Sequence, residues 1–482
     1  MVFASGTFIF IFLPITLIGY WMTRNRSVIL RNIFLLLMSA VFYLYSGIKP
    51  FILLVTSMVL NYLFAIGIAW LDNKGKHTYK KCIFVLAVVY NIGMLFIFKY
   101  LSFVTRELGN VIGTFDKVYN IALPLGISFY TFQALSYVID VYRDSKVVEK
   151  NPINVALYIS FFPQLVAGPI VRWEQIRTDL RDRGGYYDYN AGFRRFAIGL
   201  GKKVIIANQM AIFADKAYDL LARGELTTGF AWLGAIAYTL QIYYDFSGYS
   251  DMAIGLGQIF GFHFPENFNY PYISSSITEF WRRWHISLST WFRDYVYIPL
   301  GGNRCSKSRM FFNLFIVWML TGIWHGANYT FWLWGLCYFI LLSVEKLVMN
   351  RKSSDNSKLL SILGRILGHV YTLMVVVLLW VIFRADSVTD AMQYMANMFS
   401  TGASGAYAVG VTKLYLKNSI GYMIIAVVGC IPWANILEVK VKEKINPVVC
   451  KVVNTIWIVA VFVIACCMTI DGSYNPFIYF NF

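Results

Sequence analysis

Charge is what this sequence has least of. Asp, Glu, Lys and Arg make up 14% of its 482 residues, against about 25% in soluble domains. That shortage excludes the roughly three soluble domains that length alone suggests. Cysteine is sparse too: seven residues without a CxxC pair, most of them inside apolar runs, which read as buried thiols rather than disulfides or zinc ligands. There is no HExxH, no Walker loop and no GxSxG elbow, and Thr290, five residues after His285, rules out the HxxxxD pattern of soluble acyltransferases. The glycines of "GLGQIFG" (255, 257, 261) miss the GxGxxG spacing and follow no strand, so they read as helix-packing glycines. No direct or inverted repeat is present, which counts against a secondary transporter, since many of those are built from paired repeats.

What fills the sequence instead is apolar. Hydrophobic residues are 58%, aromatic residues 18%, and mean hydropathy is +0.58. Each membrane span needs roughly 20 mostly apolar residues, and runs of that kind recur from 5–21 to 451–470. They predict an all-α polytopic membrane protein with 11–12 spans, forming one integral membrane domain over 1–482. Within it, 1–118 reads as scaffold spans, 119–330 as a core holding most intramembrane polar groups, and 331–482 as plain spans again. The first run has neither a charged n-region nor a small-residue cleavage site, so 5–21 is expected to be a retained span.

The net charge of +17 resembles that of a nucleic-acid binder, but its distribution does not. Seven loops, each second one along the chain, hold 33 of the 42 Lys and Arg residues. This is the positive-inside signature, and it puts both termini outside the cytoplasm. The basic excess is thus a topology signal, with anionic headgroups or an acidic cytosolic protein as its secondary partners.

The middle zone carries the candidate chemistry. "FFPQLVAGPIVRW" (161–173) is too short and broken to cross as one helix; it predicts a re-entrant segment, because irregular backbone at depth must be buried in protein or line a cavity. In "QIYYDFSGYSDMAIG" (241–255), Gln241, Asp245 and Tyr249 share one helix face, and Tyr244 with Asp251 makes a second polar stripe. Carboxylates in an apolar helix are costly unless paired or facing water. Two readings stand: hydrogen bonds that glue helices together, or a polar lining for a substrate channel.

In 266–304, Ser276 and Glu279 form a capping box, so a helix is expected from about Ile277. Its aromatic arc (Phe280, Trp284, Trp291, Phe292, Tyr295) opposes Arg282, Arg283 and Arg293, as in a helix lying in the membrane interface. His285 falls on the border of the two faces. In "LTGIWHGANYT" (320–330), His325 ends an apolar run just before Gly326. It is either a core histidine satisfied by a backbone carbonyl or a group that takes and returns protons near neutral pH. Two histidines without a nearby cysteine are too few for a zinc site, and no metal is expected.

These segments resemble a known family. "FYTFQALSYVIDVYR", "FFPQLVAGPI", "YYDFSGYSDMAIGLG", "FWRRWHISLSTWFRDYVYIPLGGNR", "LTGIWHGA", "VIFRA" and "NPFIYFNF" are similar to bacterial membrane-bound O-acyltransferases (MBOAT). The similarity is to the branch that O-acetylates alginate and peptidoglycan. The resemblance runs through nearly the whole chain and is most specific over 270–328. It implies a ring of helices around a thin core with re-entrant and interfacial pieces, and it maps the family's two histidines onto His325 and His285.

It further implies acyl transfer, with acetyl the expected group, from a cytosolic acyl-CoA or acyl-carrier thioester to hydroxyls of a cell-surface polysaccharide. No permanently bound cofactor is implied. His325 would be the general base, with His285 positioning the donor. Gln241, Tyr244, Asp245, Asp251, Trp324 and Asn328 would line the channel, and Arg282, Arg283 and Arg293 would meet the donor or lipid headgroups. An extracytoplasmic esterase-like acetyltransferase is the expected partner, a cytosolic acyl carrier a further one, and a bacterial cytoplasmic membrane the location. D-alanyl transfer to teichoic acid is the alternative within the superfamily; a channel or transporter is the alternative outside it.

Overall fold

The computed structural model describes residues 1–112, 121–183, 187–349, 358–400, 406–433 and 446–472, together with 474, 476 and 478. Among these residues every regular element is a helix and there is no strand. Large apolar side chains stand on the outside of the helices; Val89, Ile424 and Ile456 are each more than half exposed. Apolar surface this continuous belongs against lipid rather than water. Seven described helices are long and apolar enough to cross a membrane, and two shorter apolar stretches cover Phe8–Thr23 and Val28–Leu44. The sequence count of 11–12 also includes Thr228–Phe260 and Lys307–His325. These two carry polar and charged residues along their length and fall outside the seven. The protein is a multi-pass membrane protein.

The chain divides into two compact units. The first comprises Met1–Phe196 and Tyr249–Pro265. Its helices meet through paired polar groups: the Asn61 and Asn91 amides donate to each other at 3.2 and 2.7 Å. The 161–173 stretch is the expected interruption. After the short helix Phe162–Leu165 the backbone runs irregularly and buried to Trp173. Its groups are met inside the protein, with the Tyr158 hydroxyl donating to the Val171 carbonyl at 3.0 Å and the Trp173 indole to Val147 at 3.0 Å. Gly192 and Gly255 let two helices touch backbone to backbone; a Cβ on Gly255 would lie 2.5 Å from the Gly192 carbonyl oxygen. Asp251 belongs to this unit, where Arg195 holds it at 3.0 Å.

The second unit comprises Ala197–Gly248 and Glu266–Phe482. Helices Lys307–His325 and Tyr329–Met349 form its central hairpin, closed by Gly322 and Gly335, where a Cβ would meet the Phe331 and Trp318 carbonyls within 2.4 and 2.5 Å. Against it packs the 277–297 segment, and here the expected continuous interfacial helix is corrected. Helix Ile277–Arg283 stops, His285 takes the left-handed conformation (φ 43°, ψ 53°), and Ile286–Phe292 begins anew. The break is supported from the side: Asn269 N donates to the Arg283 carbonyl and Ile286 N to the Asn267 carbonyl, at 2.9 and 3.0 Å. Backbone groups that an uninterrupted helix would pair internally are thus satisfied by the 267–269 strip.

The start of this segment is as the capping box predicts, with Ser276 Oγ accepting from Glu279 N at 3.0 Å. The Glu279 carboxylate turns to Ser275 N at 2.9 Å rather than to Ser276. A second cap was not foreseen. Glu345, buried in the apolar helix Tyr329–Met349, accepts from Ile277 N, Thr278 N and the Thr278 hydroxyl at 2.6, 2.8 and 2.7 Å. A lone carboxylate in an apolar run was the signal available for it.

Candidate active site

The helix break brings the two histidines together. His285 lies beside Trp324 with ring centroids 6.0 Å apart, while Asn313 Nδ2 donates to the Leu300 carbonyl at 3.2 Å. The 286–300 segment therefore runs antiparallel to 313–324, and its buried end meets the end of the Lys307–His325 helix. Trp324 packs on His325 as well, at 4.9 Å. The two imidazoles thus share one indole and their centroids are at most about 11 Å apart. His325 is the last residue of its helix, as the following glycine leads one to expect. Its ring is held edge-on by Trp334 at 5.3 Å and Phe383 at 5.1 Å.

His285 is buried and its tautomer can be read from its neighbours. Asn267 Oδ1 accepts from the backbone N–H of Ser287 at 3.3 Å, which fixes that atom as the amide oxygen. The same oxygen lies 3.0 Å from His285 Nδ1 and accepts from the Ser287 hydroxyl at 2.9 Å. Nδ1 must therefore carry the proton, leaving the Nε2 lone pair as the basic site. That Nε2 is buried and has no hydrogen-bond partner among the described residues. The Phe246 ring stands edge-on at 4.6 Å. Sequence reading did not single out Asn267; no spacing rule connects it to a histidine 18 residues later.

A small cavity of about 10 Å³ opens beside His325, lined by Asp245, Phe246, Trp284, Phe383 and Ile478 among others; this is about the room one water needs. A larger groove of about 230 Å³ lies on the other side of the aromatic layer, between the 278–297 segment and the 314–321 stretch of the hairpin. Arg282 and Arg293 are at its edge, and Trp281, Trp318, Phe292 and Leu342 are among its walls. Trp281 meets Trp334 edge-on at 5.6 Å, and Trp334 in turn contacts His325, so two rings separate this groove from His325.

The other predicted residues divide. Gln241 is buried, its Oε1 without a hydrogen-bond partner among the described residues. Asp245 lines the small cavity, but as an ion pair with Lys203 at 2.7 Å. Tyr244 does not face the cavity; its hydroxyl donates to the Ala426 carbonyl at 2.6 Å, which is the helix-gluing role. Asp251 is bound to Arg195 in the other unit. Asn328 accepts from Thr330 N at 3.2 Å and donates to the Asp386 carbonyl at 2.8 Å, so it caps and straps a turn. Arg283 is held by Glu279 at 2.9 Å and the Asn269 carbonyl at 3.2 Å. Arg293 is tied to Asp294 at 2.7 Å, a hydrogen bond that raises its pKa further. Arg282 is exposed and makes no ion pair among the described residues.

Comparison with known proteins gives the family. The model of the membrane-bound O-acyltransferase family matches residues 41–385. The probable alginate O-acetylase AlgI of Pseudomonas aeruginosa is 42% identical over 441 residues, covering 89% of this chain and 81% of that protein. A peptidoglycan O-acetyltransferase of Helicobacter pylori is 35% identical over 428 residues, 83% and 80% of the two chains. A teichoic acid D-alanyltransferase of Bacillus subtilis is 30% identical over 273 residues, 54% and 67% of the two. The matched region contains both histidines, the groove and the Asn267 support, and with them the chain belongs to the membrane-bound O-acyltransferase family as a multi-pass membrane O-acyltransferase.

Proposed function

We propose that the protein moves an acetyl group from a cytosolic thioester across the bacterial cytoplasmic membrane to hydroxyls of a cell-surface polysaccharide, directly or through an extracytoplasmic acetyltransferase partner. The observation that carries this reading is the pair of buried imidazoles on one indole, one of them offering an oriented lone pair. His325 acts as general base on an acceptor hydroxyl. The oxygen attacks the thioester carbonyl, the tetrahedral intermediate expels the thiolate, and the imidazolium returns its proton to the sulfur. His285 Nε2 accepts a hydrogen bond from the donor or acceptor and so orients it.

The groove behind the aromatic layer suits the arm of an acyl-CoA or acyl-carrier donor, with Arg282 as the cation available to its phosphate. The groove adjoins the basic 282–309 loop, which the charge pattern assigns to the cytoplasmic side. Both termini then lie outside. The identities favour acetyl transfer, since the alginate and peptidoglycan enzymes match at 42% and 35% and the D-alanyl enzyme at 30% over a shorter stretch. The channel or transporter alternative falls with membership of an enzyme family.

The test is transfer of labelled acetyl from acetyl-CoA in proteoliposomes, alongside mass analysis of surface polymers from a deletion strain. His325→Ala should abolish transfer with insertion and folding intact. A variant turning over at the parental rate sinks the assignment, and D-alanyl esters lost in place of acetyl esters would move the reading to the D-alanyl branch.

A further inference from the structure

The buried pair Lys203–Asp245 has a use that neither residue's position in the sequence suggests. Both side chains are 2% exposed and their charged atoms are 2.7 Å apart. Such a pair adds little net stability, because desolvation offsets the attraction. What distinguishes this one is a further contact that each partner makes. Lys203 Nζ also donates to the Pro476 carbonyl, and Asp245 Oδ2 accepts from the Ile478 backbone N–H at 3.0 Å. Both contacts fall on backbone atoms near the end of the chain, the Pro476 carbonyl and the Ile478 N–H.

Ile478, buried at 5% exposure, is thereby set into the wall of the small cavity beside His325. A second acid repeats the arrangement. Asp215 binds Arg384 at 2.8 Å through one oxygen and accepts from the Tyr474 hydroxyl at 2.7 Å through the other. Arg384 follows Phe383, whose ring contacts His325.

We propose that Lys203 and Asp245 are positioning residues that hold the C-terminal segment as one wall of the histidine cavity, so that turnover at His325 depends on a backbone grip from the far end of the chain. The grip rests on the histidine reading above for its effect on catalysis. Its polarity is what matters: a donor faces the Pro476 carbonyl and an acceptor faces the Ile478 N–H.

The experiment uses the full chain in nanodiscs, with hydrogen exchange of the C-terminal peptide read beside acetyl transfer. Asp245→Ala and Lys203→Met should free that peptide to exchange at once while the Thr228–Phe260 helix stays protected. They should also lower kcat at least tenfold, with donor KM changed less than twofold. The double variant Lys203→Asp with Asp245→Lys keeps the attraction between the two side chains but turns donor against donor at Ile478. It should recover thermal stability without recovering turnover, an outcome a merely structural ion pair would not give. Should the single variants fail to fold, the swapped pair and a chain ending at residue 473, expected to insert but turn over at least tenfold more slowly, carry the test. Parental turnover in any of these variants, or unchanged exchange in the single ones, overturns the proposal. Parental turnover in His325→Ala overturns the histidine reading instead and leaves the grip to be judged by exchange alone.

Discussion

The support given by Asn267 to His285 can be put to a quantitative test. Asn267 Oδ1 receives three donors: His285 Nδ1, Ser287 N and Ser287 Oγ. Asn267→Ala removes the acceptor from all of them and leaves His285 free to carry its proton on either nitrogen. Leaving one buried donor unsatisfied costs about 1–3 kcal/mol. If that cost falls on the productive tautomer, at about 1.36 kcal/mol per decade kcat drops about 5- to 150-fold. The assay is single-turnover acetyl transfer in proteoliposomes, with thermal unfolding followed in parallel. Asn267→Asp is the informative companion. It keeps an acceptor at the same atom but sets a carboxylate beside the imidazole, which favours the charged ring. More acid is then held on His285 at any given pH, so the acid limb of the rate profile should move to higher pH. A parental rate in folded Asn267→Ala, or an unmoved profile in Asn267→Asp, refutes the tautomer argument.

Further expectations follow from neighbouring contacts. Arg282→Ala should raise KM for an acyl-CoA donor several-fold with kcat nearly unchanged, and the effect should shrink as salt screens the charge; steady-state kinetics at two ionic strengths check it. Glu345→Ala removes three acceptor contacts at the start of the 277–283 helix and should cost at least about 1.5–3 kcal/mol, measured as a lowered midpoint of thermal unfolding. The Glu279 carboxyl is raised by burial but lowered more by the Ser275 N–H and by Arg283, and ends below its ordinary 4.5. Its contribution to stability is therefore present above that value and lost as pH falls beneath it. Glu279→Gln should flatten this acid limb in a melting-temperature series. Gly255→Ala, whose added carbon meets the Gly192 carbonyl, should destabilise by about 1–3 kcal/mol.

Local chemistry was legible in the sequence where one residue type has one structural use. Ser276 caps a helix, Gly326 ends one at His325, and the 161–173 stretch is irregular and buried. The break at His285 was not legible. A left-handed histidine carries no glycine or proline to announce it, and the aromatic spacing on both sides fits an unbroken helix. Helix faces left the choice between glue and lining open. Gln241, Tyr244, Asp245 and Asp251 look alike as polar residues in one apolar helix, yet their partners come from remote positions: Ala426, Lys203 and Arg195. Which polar residue faces a cavity and which is glue depends on those partners, and no periodicity encodes them. The signals left unread, a lone Glu345 in an apolar run and Lys203 at the end of a basic loop, were single unpaired charges whose counterparts only folding supplies.

The wall of rings around His325 has one more consequence. Trp324, Trp334, Phe383, Trp284 and Trp380 leave beside the imidazole a space on the scale of a single water. A thioester is an energy-rich bond that hydrolysis wastes, and a base able to activate a sugar hydroxyl activates water equally well. Rings that offer solvent few hydrogen-bonding sites would limit water at the base to about one molecule, while on the proposed reading the competing hydroxyl arrives tethered to a polymer. If the protein works as proposed, the aromatic density of the core would then bear on the yield of the enzyme, the fraction of donor that ends as ester and not as free acid.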